Sequence, residues 1–217
     1  MPSASEQKKL ERLNKERERI YELSKYEREN AGYGLLCGID EVGRGPLAGP
    51  VYAAAVILDP EKEILYLNDS KKLSEKKREA LYDEIMEKAL FVGIGCSSCE
   101  RIDEINILQA TFEAMTMAVN NLKVKPGALL IDAVHIPQLE DYKQISIIKG
   151  DAKSVSIAAA SIIAKVTRDR VMKEMALKYP QYAFDSNKGY GTAAHIAALK
   201  EYGPCEIHRR SFIGNFV

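Results

Sequence analysis

Gly38-Ile39-Asp40-Glu41-Val42-Gly43-Arg44-Gly45-Pro46-Leu47-Ala48-Gly49-Pro50 joins two apolar runs, Tyr33 to Ile39 and Val51 to Leu58. Apolar runs of that length bounded by Gly and Pro predict a strand, an acidic strand end, a turn and a second strand. Neighbouring residues on a strand face opposite ways, so Asp40 and Glu41 can serve one ion only if the strand bends or twists where it stops. Gly43 and Gly45 supply that freedom and let a bulky partner approach the backbone, with Arg44 between them as a cation suited to phosphate. Taken alone, an Asp-Glu pair is simply the polar end of a hairpin. Here it does not stand alone.

Ahead of this stretch, Glu6 to Asn30 is dense in alternating charge, with Leu10, Leu13, Ile20, Leu23 and Tyr26 loosely at helical spacing. It reads as a solvated helix leaning on the domain, the alternative being an accessory nucleic-acid arm. Residues 1–30 are therefore expected to be a charged helical extension, and 31–217 the main domain with a C-terminal helical segment. Beyond the two strands, Ser74 is placed to cap a helix reaching Lys88, and Asn68-Asp69-Ser70-Lys71-Lys72 puts a basic patch beside that helix start. Ala89 to Cys96 predicts a third strand. Ile105, Leu108, Phe112, Met115, Val119 and Leu122 then mark an amphipathic helix whose start carries Asp103 and Glu104 and which Lys125-Pro126-Gly127 ends. Ala128 to Ile131 is a short, wholly apolar strand ending at Asp132, and sites in such sheets gather beyond strand ends. Gln144 to Ile148 makes a fifth strand. Asp151 precedes a long helix from Ser154 to Lys178, and Asn187-Lys188-Gly189-Tyr190-Gly191-Thr192 leads into a helix to Tyr202. Tyr190, between two glycines, is displayed rather than packed. His208-Arg209-Arg210 forms a last basic cluster.

The chain has 217 residues, 46% hydrophobic, enough for one proper core in a single soluble domain. No apolar run approaches the roughly 20 residues of a membrane span, and Met1 to Lys9 carries no hydrophobic signal region, so a cytoplasmic location is expected. Lys plus Arg and Asp plus Glu number 31 each, so any nucleic-acid footprint must be local. Four cysteines do not make a disulfide framework. Cys96 and Cys99 have the spacing of half a zinc site that Cys205 and His208 could complete, but a second ligand pair of unambiguous type is missing, and cysteine at a strand end is commonly a small buried residue. His135, His195 and His208 follow no triad pattern.

Carboxylates adjoining strands at Asp40 with Glu41, Asp132 and Asp151 are what a pair of hard divalent cations demands. Acids collected in one place repel one another and make sense together chiefly when cations neutralise them. Two such ions about 3.5 to 4 Å apart can activate a water and stabilise the leaving oxygen of a phosphodiester.

The chain resembles bacterial ribonuclease HII, the type 2 ribonuclease H. The matching words are GIDEVGRGPLAGPV at 38–51, DSKKLS at 69–74, IDEINILQATFEAM at 102–115, LLIDA at 129–133, KGDAKSVSIAAASIIAKVTRD at 149–169, KGYGT at 188–192 and HRRSF at 208–212. The resemblance implies an α/β ribonuclease H-like fold, a mixed five-stranded sheet flanked by helices. It implies Asp40, Glu41, Asp132 and Asp151 as catalytic metal ligands for two Mg2+ or Mn2+ ions. Gly43, Arg44 and Gly45 would read the ribose 2′-hydroxyl through backbone groups, Tyr190 would stack on the following deoxyribose, and Ser70, Lys71 and Lys72 would contact phosphate. A group that reads the 2′-hydroxyl is what separates RNA from DNA at such a site. The implied activity is hydrolysis of the RNA strand of RNA-DNA hybrids and incision 5′ of single ribonucleotides in duplex DNA, leaving 3′-hydroxyl and 5′-phosphate ends, by a monomer without membrane partners. The rivals are a metal-dependent nuclease without ribose selectivity and a noncatalytic nucleic-acid-binding module. The first lacks a counterpart of Gly43 to Gly45 with Tyr190, and the second has no need of all four acids.

Overall fold

A computed structural model describes residues 3–217. The strands are β1 (Leu36–Val42), β2 (Val51–Ile57), β3 (Phe91–Ser97), β4 (Ala128–Asp132) and β5 (Lys143–Ile147), in one sheet of order β3-β2-β1-β4-β5. The first three are antiparallel neighbours, whereas β4 runs parallel to β1 and β5 parallel to β4. The chain thus builds outward from β1 in one direction and then crosses to its other side. That makes the C-terminal ends of β1 and β4 the switch point of the sheet.

The helices are α1 (Ala4–Leu23), α2 (Lys25–Glu29), α3 (Glu75–Lys88), α4 (Cys99–Asn120), α5 (Val155–Lys178), α6 (Phe184–Asn187), α7 (Ala193–Tyr202) and α8 (Arg210–Ile213). Alternation along β1 and β2 sorts the core into two layers. Ile39, Ala53 and Ala55 pack with Ala110, Ala114 and Met115 of α4 on one face. Ala54 and Val56 pack with Ala158, Ala159 and Ile162 of α5 on the other, backed by Leu81 and Ile85 of α3. The small residues let α5 lie close. Its approach is closest at Gly38, where an added Cβ would overlap the Ser156 carbonyl group.

Three local features differ from the sequence reading. Residues Ala31–Tyr33 form a 3-10 turn, so β1 begins at Leu36 and continues through both acids to Val42. It continues because β2 offers partners at Ala54, Ala53 and Tyr52. Helix α4 starts one turn before Asp103, at Cys99, where the Ser98 hydroxyl accepts from the Arg101 amide at 3.2 Å. It is kinked at Asn106, whose φ of +67° is outside the helical region and whose side-chain oxygen accepts from the amides of Leu108 and Gln109, capping the second segment. The cap expected at Ser74 is present, accepting from Lys77, and Ser154 caps α5 in the same way, accepting from Ile157.

The N-terminal helices lean on this body. Leu23 is buried, Ile20 packs against the same α5-side cluster, and Tyr26 packs against the cluster of Leu130, Ile147 and Ile157. Glu27 accepts from the Ser154 hydroxyl at 2.5 Å and from the Ser156 amide at 2.9 Å, so α2 helps cap α5. Arg17 pairs with Glu63 at 2.9 Å. Among the described residues no helix is long and apolar enough to cross a membrane.

Candidate active site

Register explains why the acids meet. Ile39 of β1 lies opposite Ile131 of parallel β4, so the next residues along, Asp40 and Asp132, stand side by side at the switch point. Both share the parity of the positions facing α5, Gly38 on β1 and Leu130 on β4, the latter packed against Ile157. Asp151 enters from the same side, in the 3-10 turn Gly150–Ala152 that precedes α5. The Gly150 amide donates to Asp132 Oδ1 at 2.7 Å, which ties that turn to the end of β4. Ala133 and Lys149, flanking the two acids, take left-handed φ of +54° and +58°, a local strain of the sort found at functional sites. Glu41 has the opposite parity and faces the α4 side, where Arg44 Nη1 stands 3.5 Å from its Oε1.

The acids are close enough to oppose one another's ionisation, Glu41 across the strand and the other three on the α5 side. Burial, then the charges of Glu41 and Asp132, hold the Asp40 carboxyl well above its usual range. Glu41 is also raised, by burial and by Asp132, against the pull of Arg44. Asp151 is raised by burial, by Asp69 and by Asp132. Burial works against charging Lys71, but Asp40 and Asp151 outweigh it and raise its ammonium. Among the described residues no three His, Cys, Asp or Glu side chains close into a ready cage for an ion. Unneutralised carboxylates would resist such closure. As a donor set they are hard oxygens, buried and mutually repelling, which suits Mg2+ or Mn2+.

Of the expected substrate contacts, Lys71 and Lys72 are exposed, Lys71 within reach of the charges of Asp40 and Asp151, whereas Ser70 is buried, its amide donating to Ser161 Oγ at 3.2 Å. Arg44 and Gly45 are exposed, while Gly43 is buried with φ of +97°. The Tyr190 ring lies over this turn: an added Cβ on Gly45 would sit 3.8 Å from its Cε1. The two loops are joined by backbone bonds, with the Leu47 amide donating to the Gly189 carbonyl at 2.8 Å.

The sequence reading left out Asp69, which faces Asp151, and two buried arginines. Arg168 donates to the carbonyls of Pro50, Ala48 and Lys188, and Arg209 to those of Gly43, Arg44 and Gly49. His208-Arg209-Arg210 is therefore no surface basic cluster, since only Arg210 is exposed. The cysteine pair is split: Cys96 is exposed, whereas Cys99 is buried, donates to the Ile207 carbonyl at 3.0 Å and has its thiol pushed up to about 11 by burial. His195 and His208 form a buried pair, Nε2 to Nε2 at 3.0 Å. The Cys205 amide donates to His208 Nδ1, so His208 Nε2 donates to His195 Nε2 and His195 Nδ1 donates to the Tyr190 carbonyl. Burial keeps both rings neutral, lowering His195 and taking His208 down to about 4 with His195's help.

A mixed sheet with acids at its switch point and helices on both faces is the ribonuclease H-like fold. The family model described as "Ribonuclease HII" matches residues 37–215. The ribonuclease HII of Lachnoclostridium phytofermentans is 65% identical over 95% of this chain and 81% of its own length. That of Acetivibrio thermocellus is 58% identical over 98% and 83%. The crystal structure of ribonuclease H2 from Pyrococcus horikoshii superposes with a TM-score of 0.67 at 29% identity, over 81% of this chain and 92% of that one. The chain belongs to the ribonuclease HII family and is an endoribonuclease of the ribonuclease H type 2 class.

Proposed function

We propose that this enzyme cleaves duplex DNA on the 5′ side of a single embedded ribonucleotide, and the RNA strand of RNA-DNA hybrids, through divalent cations held by Asp40, Glu41, Asp132 and Asp151. The observation that carries the reading is the juxtaposition of acids and selector: the exposed Arg44-Gly45 turn follows directly on the acidic end of β1, with the Tyr190 ring across it. Two bound Mg2+ or Mn2+ ions would supply the activated water and the charge that stabilises the departing 3′ oxygen. The protein's own part is placement. Gly43 to Gly45 hold the ribose 2′-hydroxyl through the backbone, and Tyr190 stacks on the next sugar, where a second ribose would crowd the ring. Lys71 and Lys72 face the phosphates. Residues 1–30 serve as an extension to a catalytic domain spanning 31–217. The protein acts as a monomer in the cytoplasm.

Duplexes of one sequence carrying one, four or no ribonucleotides test this. Preferred cutting at the lone ribonucleotide and at RNA-to-DNA junctions is expected, with none in all-DNA duplex. Equal cutting of all three would contradict it.

A further inference from the structure

Arg209 is fully buried, as is Arg168, and among the described residues neither pairs with a carboxylate within 4.0 Å. A guanidinium can remain charged there only by spending its donors on carbonyls. Arg209 Nη2 donates to Gly43 O at 2.5 Å and Nη1 to Arg44 O at 3.0 Å, while Nε and Nη2 reach Gly49 O at 2.9 and 2.6 Å. The residue is itself fixed. Its amide donates to Leu47 O at 2.9 Å, and its guanidinium lies over the Phe212 ring. Asp103 accepts from the amides of Arg210 and Ser211 just beyond it, at 2.7 and 2.9 Å.

The consequence follows from peptide geometry. Across a trans peptide the carbonyl oxygen and the next amide hydrogen point in opposite directions, and no cis peptide occurs among the described residues. With the carbonyls of Gly43 and Arg44 turned inward onto Arg209, the amides of Arg44 and Gly45 are turned outward. Both residues are exposed, and neither amide has an acceptor among the described residues.

We propose that Arg209 is the positioning residue for ribose selection: its guanidinium locks two successive peptide planes so that the Arg44 and Gly45 amides stand as a fixed pair of donors for one sugar hydroxyl oxygen. Preorganised donors need no reordering when the ligand arrives. A lysine would keep the charge but not the fork that serves separate carbonyls. This rests on the reading that Gly43 to Gly45 meets the 2′-hydroxyl.

Steady-state kinetics test it with wild type, Arg209→Gln and Arg209→Lys. The readouts are KM and kcat on a one-ribonucleotide duplex, with all-DNA duplex of the same sequence as competitive inhibitor. In Arg209→Gln the KM should rise about tenfold, the net worth of one or two hydrogen bonds, while the inhibition constant of all-DNA duplex stays at its wild-type value. Arg209→Lys should lie between. Equal weakening toward both duplexes, or no change in their ratio, would overturn the assignment of Arg209 alone. A wild type that holds both duplexes equally would remove the ribose-sensing reading and this inference with it. Should neither variant fold, amide hydrogen exchange of the wild type decides: the Arg44 and Gly45 amides should gain protection on the one-ribonucleotide duplex and not on all-DNA duplex, and equal protection by both would overturn the proposal.

Discussion

The two ends of the segment 40–50 solve opposite electrostatic problems. At the strand end, Asp40, Glu41, Asp132 and Asp151 are crowded without enough cationic partners, and the carboxyls of Asp40, Glu41 and Asp151 resist ionisation. A few residues on, Arg168 and Arg209 are buried without acids, yet backbone carbonyls satisfy them. The first region is poised for something from outside, and the second is complete in itself. Charge that awaits a partner marks chemistry, whereas charge spent internally marks shape. In this enzyme the two are adjacent, which is what the proposed function requires of a site that meets a phosphate and its neighbouring sugar together.

The comparison breaks first at the acids. Asp132→Asn should lower cleavage by about 10³-fold, some 4 kcal/mol of barrier, while calorimetry finds an unfolding temperature equal to or above the parent's. A folded variant with near-parental turnover would remove Asp132 from the chemistry. Next, Gly38→Ala should damage both regions at once, because the new methyl meets the backbone of α5 beneath them. A loss of about 3 kcal/mol or more in denaturant unfolding is expected, overpacking against backbone being a severe case. Tyr190→Ala separates the regions: cleavage at a lone ribonucleotide should fall by roughly tenfold to hundredfold, on the scale of a lost stacking partner, with divalent-ion binding by titration calorimetry unchanged.

The smallest effect is in pH. His208 has a folded value near 4 against about 6.5 unfolded. The unfolded chain therefore takes up a proton that the fold refuses, and stability falls as pH drops from 6.5 towards 4. Asp40 has the opposite sign: its raised value lets the metal-free fold take up a proton before the unfolded chain does, so its burden lightens as pH falls. Asp40→Asn should accordingly be more stable than the parent in chelator at neutral pH, with the gap closing on acidification. A constant gap in denaturant unfolding between pH 8 and 5 would contradict this.

The acid region was legible because strand-end carboxylates after apolar runs break a simple pattern, and all five strands and the Ser74 cap could be placed from the local sequence. What stayed hidden was burial against composition. His208-Arg209-Arg210 reads as an exposed basic patch, since arginine is almost never fully buried unless paired, and nothing local says that Arg209 will find carbonyls 160 or more residues away in sequence. Asp69 was likewise hidden in a turn whose lysines drew attention. The Asn106 kink lay inside an unbroken helical pattern. Long-range hydrogen bonding has no period.

The chemistry at the acids is where this enzyme is most directly tested. Single-turnover cleavage of a duplex bearing one ribonucleotide, with Mg2+ or Mn2+ and in chelator, should give metal-dependent incision and ends with 3′-hydroxyl and 5′-phosphate, because water and not the ribose hydroxyl is the nucleophile. Cleavage that persists in chelator, or 2′,3′-cyclic phosphate ends, would contradict it.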